Sequence, residues 1–331
     1  MQALLETRER SRRGTLLNAW QRGLPLVPRP FDALGAPHGL DGAAVRALLH
    51  EALACGEASR VGAVFGTGAG GAAMLCALAV APERLDAVAR SVDAEPGVSH
   101  NYAREHAWNL WFVASACDAE ALAATIARIE RHTGLAALRL PMRRAYRIDL
   151  GFDLFEASRP GAATRPAVPV EPASRPLAAR LEALGVPLLE RPYAALGAPL
   201  GLDEVAVIAT LARWCEQGTL RRLGVVLRHH EFGITANAMT VFAPPEDAID
   251  AAGKRLAAQP GVTLCYRRAA AARWPYTLYC MVHGRERAAV QRAIDAATRA
   301  AGLDGVPREV LFSTRRYKQT GSRYFAAAGP A

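Results

Sequence analysis

The chain lacks most of the short signals that declare a function on their own. Its six cysteines (Cys55, Cys76, Cys117, Cys215, Cys265 and Cys280) are scattered, with neither CxxC nor zinc-finger spacing. A disulfide framework and a thiolate zinc site are thereby excluded as organising elements. Most of the six sit in apolar runs, so buried free thiols are expected. The charged start, Met1 to Gly14, has no apolar h-region, and with the thiol usage this predicts a reducing, cytoplasmic setting. Long apolar runs are also scarce. Val61 to Pro82 carries no charge and matches a membrane span in length, but five glycines interrupt it. Two strands joined by a loop are expected there, and no membrane association. Inside that stretch Gly66-Thr67-Gly68-Ala69-Gly70-Gly71 fits GxGxxG without the Lys-Ser/Thr of a P-loop. A dinucleotide fold needs a helix after the loop, and Ala72 to Val80 ends at Pro82 instead, so no nucleotide site is expected.

What the chain has is a duplication. Pro30-Phe31-Asp32-Ala33-Leu34-Gly35-Ala36-Pro37-His38-Gly39-Leu40-Asp41 returns as Pro192-Tyr193-Ala194-Ala195-Leu196-Gly197-Ala198-Pro199-Leu200-Gly201-Leu202-Asp203. The echo continues from Arg60-Val61-Gly62 to Arg222-Leu223-Gly224, from Pro96-Gly97-Val98 to Pro260-Gly261-Val262, and from Arg144-Ala145-Tyr146-Arg147 to Arg315-Arg316-Tyr317-Lys318. The unit is about 160 residues, a domain pair rather than a solenoid module. In 331 residues, two such copies can each bury a core.

Within the second repeat Leu177 to Leu184 reads as a helix stopped by Gly185. From Asp203, the expected N-cap, Val205, Ile208, Leu211 and Trp214 recur at helical spacing as far as Gly218. Leu220 to Leu227 reads as a small strand or wing, giving a winged helix-turn-helix. The remainder alternates: strand Ala236 to Phe242, helix Pro245 to Ala258, strands Val262 to Arg267 and Tyr276 to His283, helix Glu286 to Ala301, strand Val310 to Tyr317. That βαββαβ order is ferredoxin-like. The first repeat follows it at Met74 to Val80, Glu83 to Ala94, Val98 to Tyr102, Asn109 to Ala114, Ala119 to Thr133 and Leu138 to Ile148. The predicted fold is α+β: two tandem copies of a winged helix followed by a ferredoxin-like domain, packed as an intrachain pseudo-dimer. The expected boundaries are winged helices over 15–66 and 175–228, ferredoxin-like domains over 67–156 and 229–320, tails over 1–14 and 321–331, and a proline-rich linker over 157–174.

The net charge of +9 points to an acidic partner or substrate. Polar residues kept in one repeat and lost in the other mark where to look. Arg228-His229-His230-Glu231-Phe232-Gly233 stands where the first repeat has its glycine loop, so the fold does not require these side chains. A second cluster is Ser99-His100-Asn101-Tyr102-Ala103-Arg104-Glu105-His106. On a strand His100, Tyr102 and Arg104 share a face, and their counterparts are Leu264, Tyr266 and Arg268. Imidazole beside phenol and guanidinium can bind an anion, donate a proton or ligate iron. The last strands add Arg143, Arg144 and Arg147 in one repeat and Arg315, Arg316 and Lys318 in the other. With Arg228 and Arg267 these are expected to form a cationic rim for carboxylates.

These residues carry a resemblance. Arg228-His229-His230-Glu231-Phe232-Gly233 with Ala236-Asn237-Ala238-Met239 resembles the signature of the siroheme decarboxylases, the AhbA/AhbB and NirD/NirL/NirG/NirH group. So do Val98-Ser99-His100-Asn101-Tyr102 with Trp108-Asn109-Leu110-Trp111, and Cys265-Tyr266-Arg267-Arg268 with Trp274-Pro275-Tyr276. The first half resembles the NirD type and the second the NirL type. The resemblance implies a fold shared with Lrp/AsnC regulators. It implies removal of the C12 and C18 acetate carboxyls of siroheme as carbon dioxide, in heme d1 synthesis, with the substrate's own iron and no separate cofactor. The implied partners are siroheme and NirG/NirH-type proteins, with further homo-oligomerisation open and no nucleic acid.

On that reading His229 or His230 supplies or relays a proton, and His100 and Tyr102 act as further acids or, for His100, as an iron ligand. Arg228, Arg267, Arg268, Arg104, Tyr266, Arg144, Arg147, Arg315 and Lys318 hold the substrate's carboxylates. The glycine loop of the first repeat cannot do this work, so one working pocket is expected, lined by the second half and closed by the first. The rival readings are an Lrp/AsnC-type DNA-binding regulator and a siroheme or heme sensor without chemistry. Asp41 and Asp203-Glu204 put acid at the helix ends that would meet phosphate, which argues against DNA.

Overall fold

The computed structural model describes residues 13–21, 23–149, 151, 153–154 and 166–325. Much of the expected linker, 157–165, and most of both tails lie outside the described residues. Contacts group the chain into two units that each take material from both repeats. One holds residues up to Gly70, 166–232 and Phe325; the other holds 71–154 and 233–324.

In the first unit the first repeat contributes helices α1 (13–20), α2 (Pro30–Gly35) and α3 (Gly42–Ala54), then strand β1 (Ala58–Phe65). From the second come α6 (Arg175–Leu184), α7 (Pro192–Gly197), α8 (Glu204–Glu216) and β7 (Leu220–Leu227). Asp41 and Asp203 cap α3 and α8, their carboxylates accepting from the backbone N–H of Ala44 and Ala206 at 2.7 Å. The cap satisfies one of the amides that a helix start leaves open. The inward stripe of α8 is Val207, Leu211 and Trp214, while Val205, expected inside, is 75% exposed. Leu220 to Leu227 is not a wing folded on its own repeat. It pairs antiparallel with β1 across the repeats, with Gly62 opposite Gly224. A Cβ on Gly224 would lie 2.7 Å from the Gln21 carbonyl, so glycine is what lets the backbones approach.

In the second unit the first repeat supplies β2 (Ala72–Leu78), α4 (Leu85–Asp93), β3 (Val98–Arg104), β4 (Leu110–Ala116), α5 (Ala119–Thr133), β5 (Leu138–Leu140) and β6 (Met142–Ile148). The second supplies β8 (Ala236–Phe242), α9 (Ile249–Ala257), β9 (Val262–Arg268), β10 (Leu278–Gly284), α10 (Arg287–Ala300) and β11 (Arg308–Gln319). Helix α9 starts at Ile249 rather than Pro245, after a turn. The eleven residues read as one strand from Leu138 to Ile148 are two strands broken at Pro141, because proline has no N–H to give a ladder.

All these strands form one sheet in the order β5-β2-β4-β3-β11-β8-β10-β9-β6. Each repeat has the ferredoxin-like order of last, first, third and second strand, and then lends the end of its last strand to the other. Arg308 to Phe312 of β11 pairs with β8, and Ser313 to Gln319 pairs with β3. Likewise β5 pairs with β2, and β6 with β9. The outermost strands β5 and β6 are separated by Pro141 alone, so the sheet must curl until its edges meet. Helices α4, α5, α9 and α10 cover its outer face over two apolar cores, one per repeat. The inner face encloses a third core drawn from both repeats, with Ala77, Trp111, Leu138 and Leu140 against Met239, Val241, Trp274, Tyr279 and Leu311.

The exchange is clamped symmetrically on the outer face. Tyr146 of β6 packs into the second repeat's core and its hydroxyl donates to Asp250 on α9. Tyr317 of β11 donates to Asp86 on α4. The cysteines are all free; Cys76, Cys265 and Cys280 are buried, whereas Cys55 and Cys215 are exposed, which departs from the expectation of burial for most. Among the described residues no single helix is long and apolar enough to cross a membrane, and Val61 to Pro82 is indeed two strands and a loop.

Candidate functional site: the inner face of the sheet

Strand alternation decides which side chains reach the inner face. On β3 Asn101 turns outward, donating to the Ala89 carbonyl at 3.2 Å and to Asp93 at 2.9 Å on α4. His100, Tyr102 and Arg104 therefore face inward as a row. The His100 and Tyr102 rings stack at 6.4 Å, and the Arg104 guanidinium lies 5.7 Å from the Tyr102 centroid. On β9 the Cys265 thiol points outward to the Gly253 carbonyl, which sends Leu264, Tyr266 and Arg268 inward. Arg268 lies 5.3 Å from the Tyr266 ring and 5.6 Å from the Tyr279 ring.

The two arginines are held in the same way. Arg104 Nη1 donates to the Leu311 carbonyl and Arg268 Nη1 to the Leu140 carbonyl, both at 2.9 Å, each reaching the other repeat's last strand. Their buried Nε atoms have no hydrogen-bond partner, and no carboxylate pairs with either guanidinium among the described residues. Burial pushes the Arg104 pKa down to about 10 and lowers that of Arg268. A buried charge without a counter-ion is costly, so each guanidinium is a ready seat for an anion. Burial also raises the phenols, Tyr266 to about 12, while Arg104 and Arg316 oppose the rise at Tyr102. Both phenols thus keep their protons at neutral pH and can donate a hydrogen bond.

Aromatic walls frame the row. Trp274 contacts Trp111 and His106 at 5.3 Å each, and its Nε1 donates to the Tyr279 hydroxyl at 2.6 Å. His283 on β10 follows Tyr279 and Met281 on the inward phase. Its Nδ1 lies 2.9 Å from the Thr263 hydroxyl, and burial, helped by the charge on Arg104, lowers its pKa to about 4. Sequence reasoning passed over His283, although the period-2 pattern from Tyr279 would have pointed to it.

The expected cationic rim is not assembled. Arg144 pairs with Asp250 at 2.8 Å and Arg315 with Asp86 at 2.8 Å, both beside the tyrosine clamps on the helix-covered face. Arg267 pairs with Glu246 and lies 3.7 Å from Asp250. Arg147 is buried against the Ala257 carbonyl, and Lys318 donates to the carbonyls of Asp93 and Glu95 at the end of α4. The alternation that sends Arg104 and Arg268 inward sends these five outward, where all but Arg267 reach across to the other repeat. Of the run Arg315-Arg316-Tyr317-Lys318, Arg316 alone turns in, opposite Tyr102.

Arg228, His229 and His230 belong to the first unit, whereas the inner-face row belongs to the second. Arg228 donates its backbone N–H to the Glu57 carbonyl at 2.8 Å and its Nη1 to the Gly56 carbonyl, and His229 to Phe232 form a short 3-10 turn. The equivalent loop in the first repeat is closed by packing. Its Gly66 N–H donates to the Thr219 carbonyl, and a Cβ on Gly70 would lie 2.4 Å from the Phe325 ring. These glycines serve close approach, and a strand rather than a helix follows them.

Comparison with known proteins agrees with this architecture. The model of the AsnC-like ligand binding domain matches residues 69–147 and 231–318, and that of the siroheme decarboxylase NirDL-like HTH domain matches residues 184–221. The chain is 44% identical over 309 residues to the siroheme decarboxylase NirDL subunit of Paracoccus denitrificans (strain Pd 1222), covering 93% of this chain and 95% of that one. It superposes on the crystal structure of the siroheme decarboxylase NirDL with a TM-score of 0.67 at 26% identity, covering 94% and 93% of the two chains. The same enzyme in co-complex with an iron-uroporphyrin III analogue gives 0.66 at 27% identity, with the same coverage. With two repeats in one chain, aligned nearly end to end with a NirDL subunit, this protein belongs to the siroheme decarboxylase family.

Proposed function

We propose that this chain decarboxylates siroheme at the C12 and C18 acetates, giving 12,18-didecarboxysiroheme and carbon dioxide for heme d1 synthesis. The observation that supports the reading best is the pair of guanidiniums, Arg104 buried and Arg268 half-buried, facing an aromatic interior with no carboxylate partner among the described residues. Siroheme is a flat, apolar macrocycle rimmed by carboxylates, and this lining suits both parts of it. The reading gives the protein no cofactor of its own, since the iron arrives with the substrate.

In each step the bond between the acetate methylene and its carboxyl breaks. The electron pair passes toward the macrocycle, carbon dioxide leaves, and a proton taken up at the methylene carbon gives a methyl group. The protein must hold the sibling carboxylates, desolvate the one that leaves and deliver a proton. Arg104 and Arg268 suit the first task, and the Trp111, Trp274 and Tyr279 wall suits the second. Tyr102 and Tyr266, protonated at neutral pH, orient the substrate by hydrogen bonding. His229 or His230 delivers or relays the proton, and His100 serves as a second acid or as an axial ligand to the substrate iron. NirG/NirH-type subunits are the proposed partners.

Anaerobic incubation of the purified chain with siroheme, followed by mass spectrometry of the tetrapyrrole, tests the reading. Loss of two carbon dioxide units is expected, with the His229→Ala/His230→Ala variant reduced at least a hundredfold. Binding without mass change would refute the enzymatic reading, and full turnover by the double variant would refute the histidine assignment.

A further inference from the structure

The exchange of last strands builds two equivalent patches on the inner face, and they have diverged. Where β11 crosses β3, Ser313 stands opposite Arg104, Arg316 opposite Tyr102, and Gln319 opposite His100. Where β6 crosses β9, Met142 stands opposite Arg268, Ala145 opposite Tyr266, and Ile148 opposite Leu264. Only the arginine and tyrosine are common to both. Every other facing position is polar in the first patch and apolar in the second. Arg316 is oriented within its patch, its Nη1 lying 3.3 Å from the Gln319 Oε1. Its charge reaches the Tyr102 hydroxyl together with that of Arg104. One patch therefore offers two guanidiniums, an imidazole and an amide, and the other a single guanidinium.

We propose that Arg316 is a positioning residue: from the second repeat it holds a siroheme carboxylate against the His100, Tyr102 and Arg104 row of the first repeat, so that this patch is the principal anchor of the anionic edge and its duplicate, with Arg268 as its one guanidinium, the lesser. The inference rests on the siroheme reading. It makes the anchoring patch a joint product of both repeats. A charge-assisted hydrogen bond of this kind is worth about ten- to hundredfold in binding.

The test is anaerobic siroheme turnover and equilibrium binding by the full chain carrying Arg316→Gln, Arg316→Lys or Ala145→Gln, with thermal melts alongside. Arg316→Gln is expected to raise KM and Kd at least tenfold with kcat within about threefold, and to weaken the salt dependence of binding. Arg316→Lys should recover much of the loss, and Ala145→Gln in the duplicate patch should leave KM unchanged. The proposal is overturned if Arg316→Gln keeps KM within about threefold of wild type. It is overturned equally if Ala145→Gln costs as much, or if Arg316→Gln and Arg316→Lys both lose kcat in step with a lowered melting point. A wild-type chain that leaves siroheme unchanged would take down the siroheme reading itself, a result distinct from all of these.

Discussion

Replacing Arg104 with methionine separates a binding role from a structural one. The side chain is 7% exposed, makes one hydrogen bond, to the Leu311 carbonyl, and meets no carboxylate among the described residues. Burial lowers its pKa on folding from the ordinary guanidinium value to about 10, which corresponds to roughly 3 kcal/mol spent on keeping the charge inside. The sign follows from proton counts. Between those two values the unfolded chain binds the proton more tightly, so the cost is fully present at neutral pH and is relieved only as pH rises through about 10. Methionine removes that cost and fills similar space. It forfeits a charged hydrogen bond worth about 1.5–3 kcal/mol and a ring contact with Tyr102 worth about 0.5–1 kcal/mol. The terms nearly offset, so Arg104→Met should shift stability by no more than about 1 kcal/mol, a few degrees in melting point. Siroheme binding, followed anaerobically by absorbance titration, should weaken at least tenfold. Loss of more than about 3 kcal/mol of stability with unchanged siroheme affinity would show that the guanidinium is a structural strut, and the argument from its missing counter-ion would fall.

Two further outcomes follow from the same unit. His283 has a folded pKa of about 4 against an ordinary 6.5. Its contribution is therefore present above about 6.5 and is lost as pH falls toward 4, and His283→Gln should flatten the acid limb of a melting-point profile over that window; an unchanged limb would refute the assignment. On α9, a Cβ at Gly253 would lie 2.4 Å from the Tyr146 ring. Gly253→Ala should therefore destabilise the chain by about 1–3 kcal/mol through overpacking, against the roughly 1 kcal/mol that alanine normally gains over glycine in a helix; a stabilised variant in thermal melts would contradict that packing.

Local patterns were legible wherever one repeat alone determined the outcome. Ala236 to Phe242 and Ala119 to Thr133 are elements with the bounds their periodicity predicts, and the inward row of His100, Tyr102 and Arg104 follows from alternation alone. What the sequence concealed depends on contacts between repeats. Nothing within Leu138 to Ile148 says that its two ends serve opposite edges of one sheet, although Pro141 marks the break. Leu220 to Leu227 reads as a wing because its true partner, β1, lies about 160 residues away. The basic run Arg315-Arg316-Tyr317-Lys318 shows two faces by alternation, but not which face the helices cover, so outward clamps and the one inward arginine look alike. His283 went unnoticed for a related reason. A lone histidine on a strand gains meaning only when the fold brings the Arg104 charge to it.

The strand exchange changes what the loss of polar residues in one repeat means. Judged repeat by repeat, the glycine loop of the first half suggests a working second half and a passive first. The inner-face patches do not divide that way. The polar patch takes His100 and Arg104 from the first repeat and Arg316 and Gln319 from the second, whereas the apolar patch takes Leu264 from the second and Ala145 and Ile148 from the first. A change in either repeat is thus felt in a patch that it shares with the other. Two identical copies would necessarily carry two identical patches. Specialising one patch requires the copies to differ at several facing positions together, and joining them in one chain keeps each altered β3 with its matching β11. The duplication is therefore what permits a single polar anchor on a sheet whose symmetry would otherwise impose two.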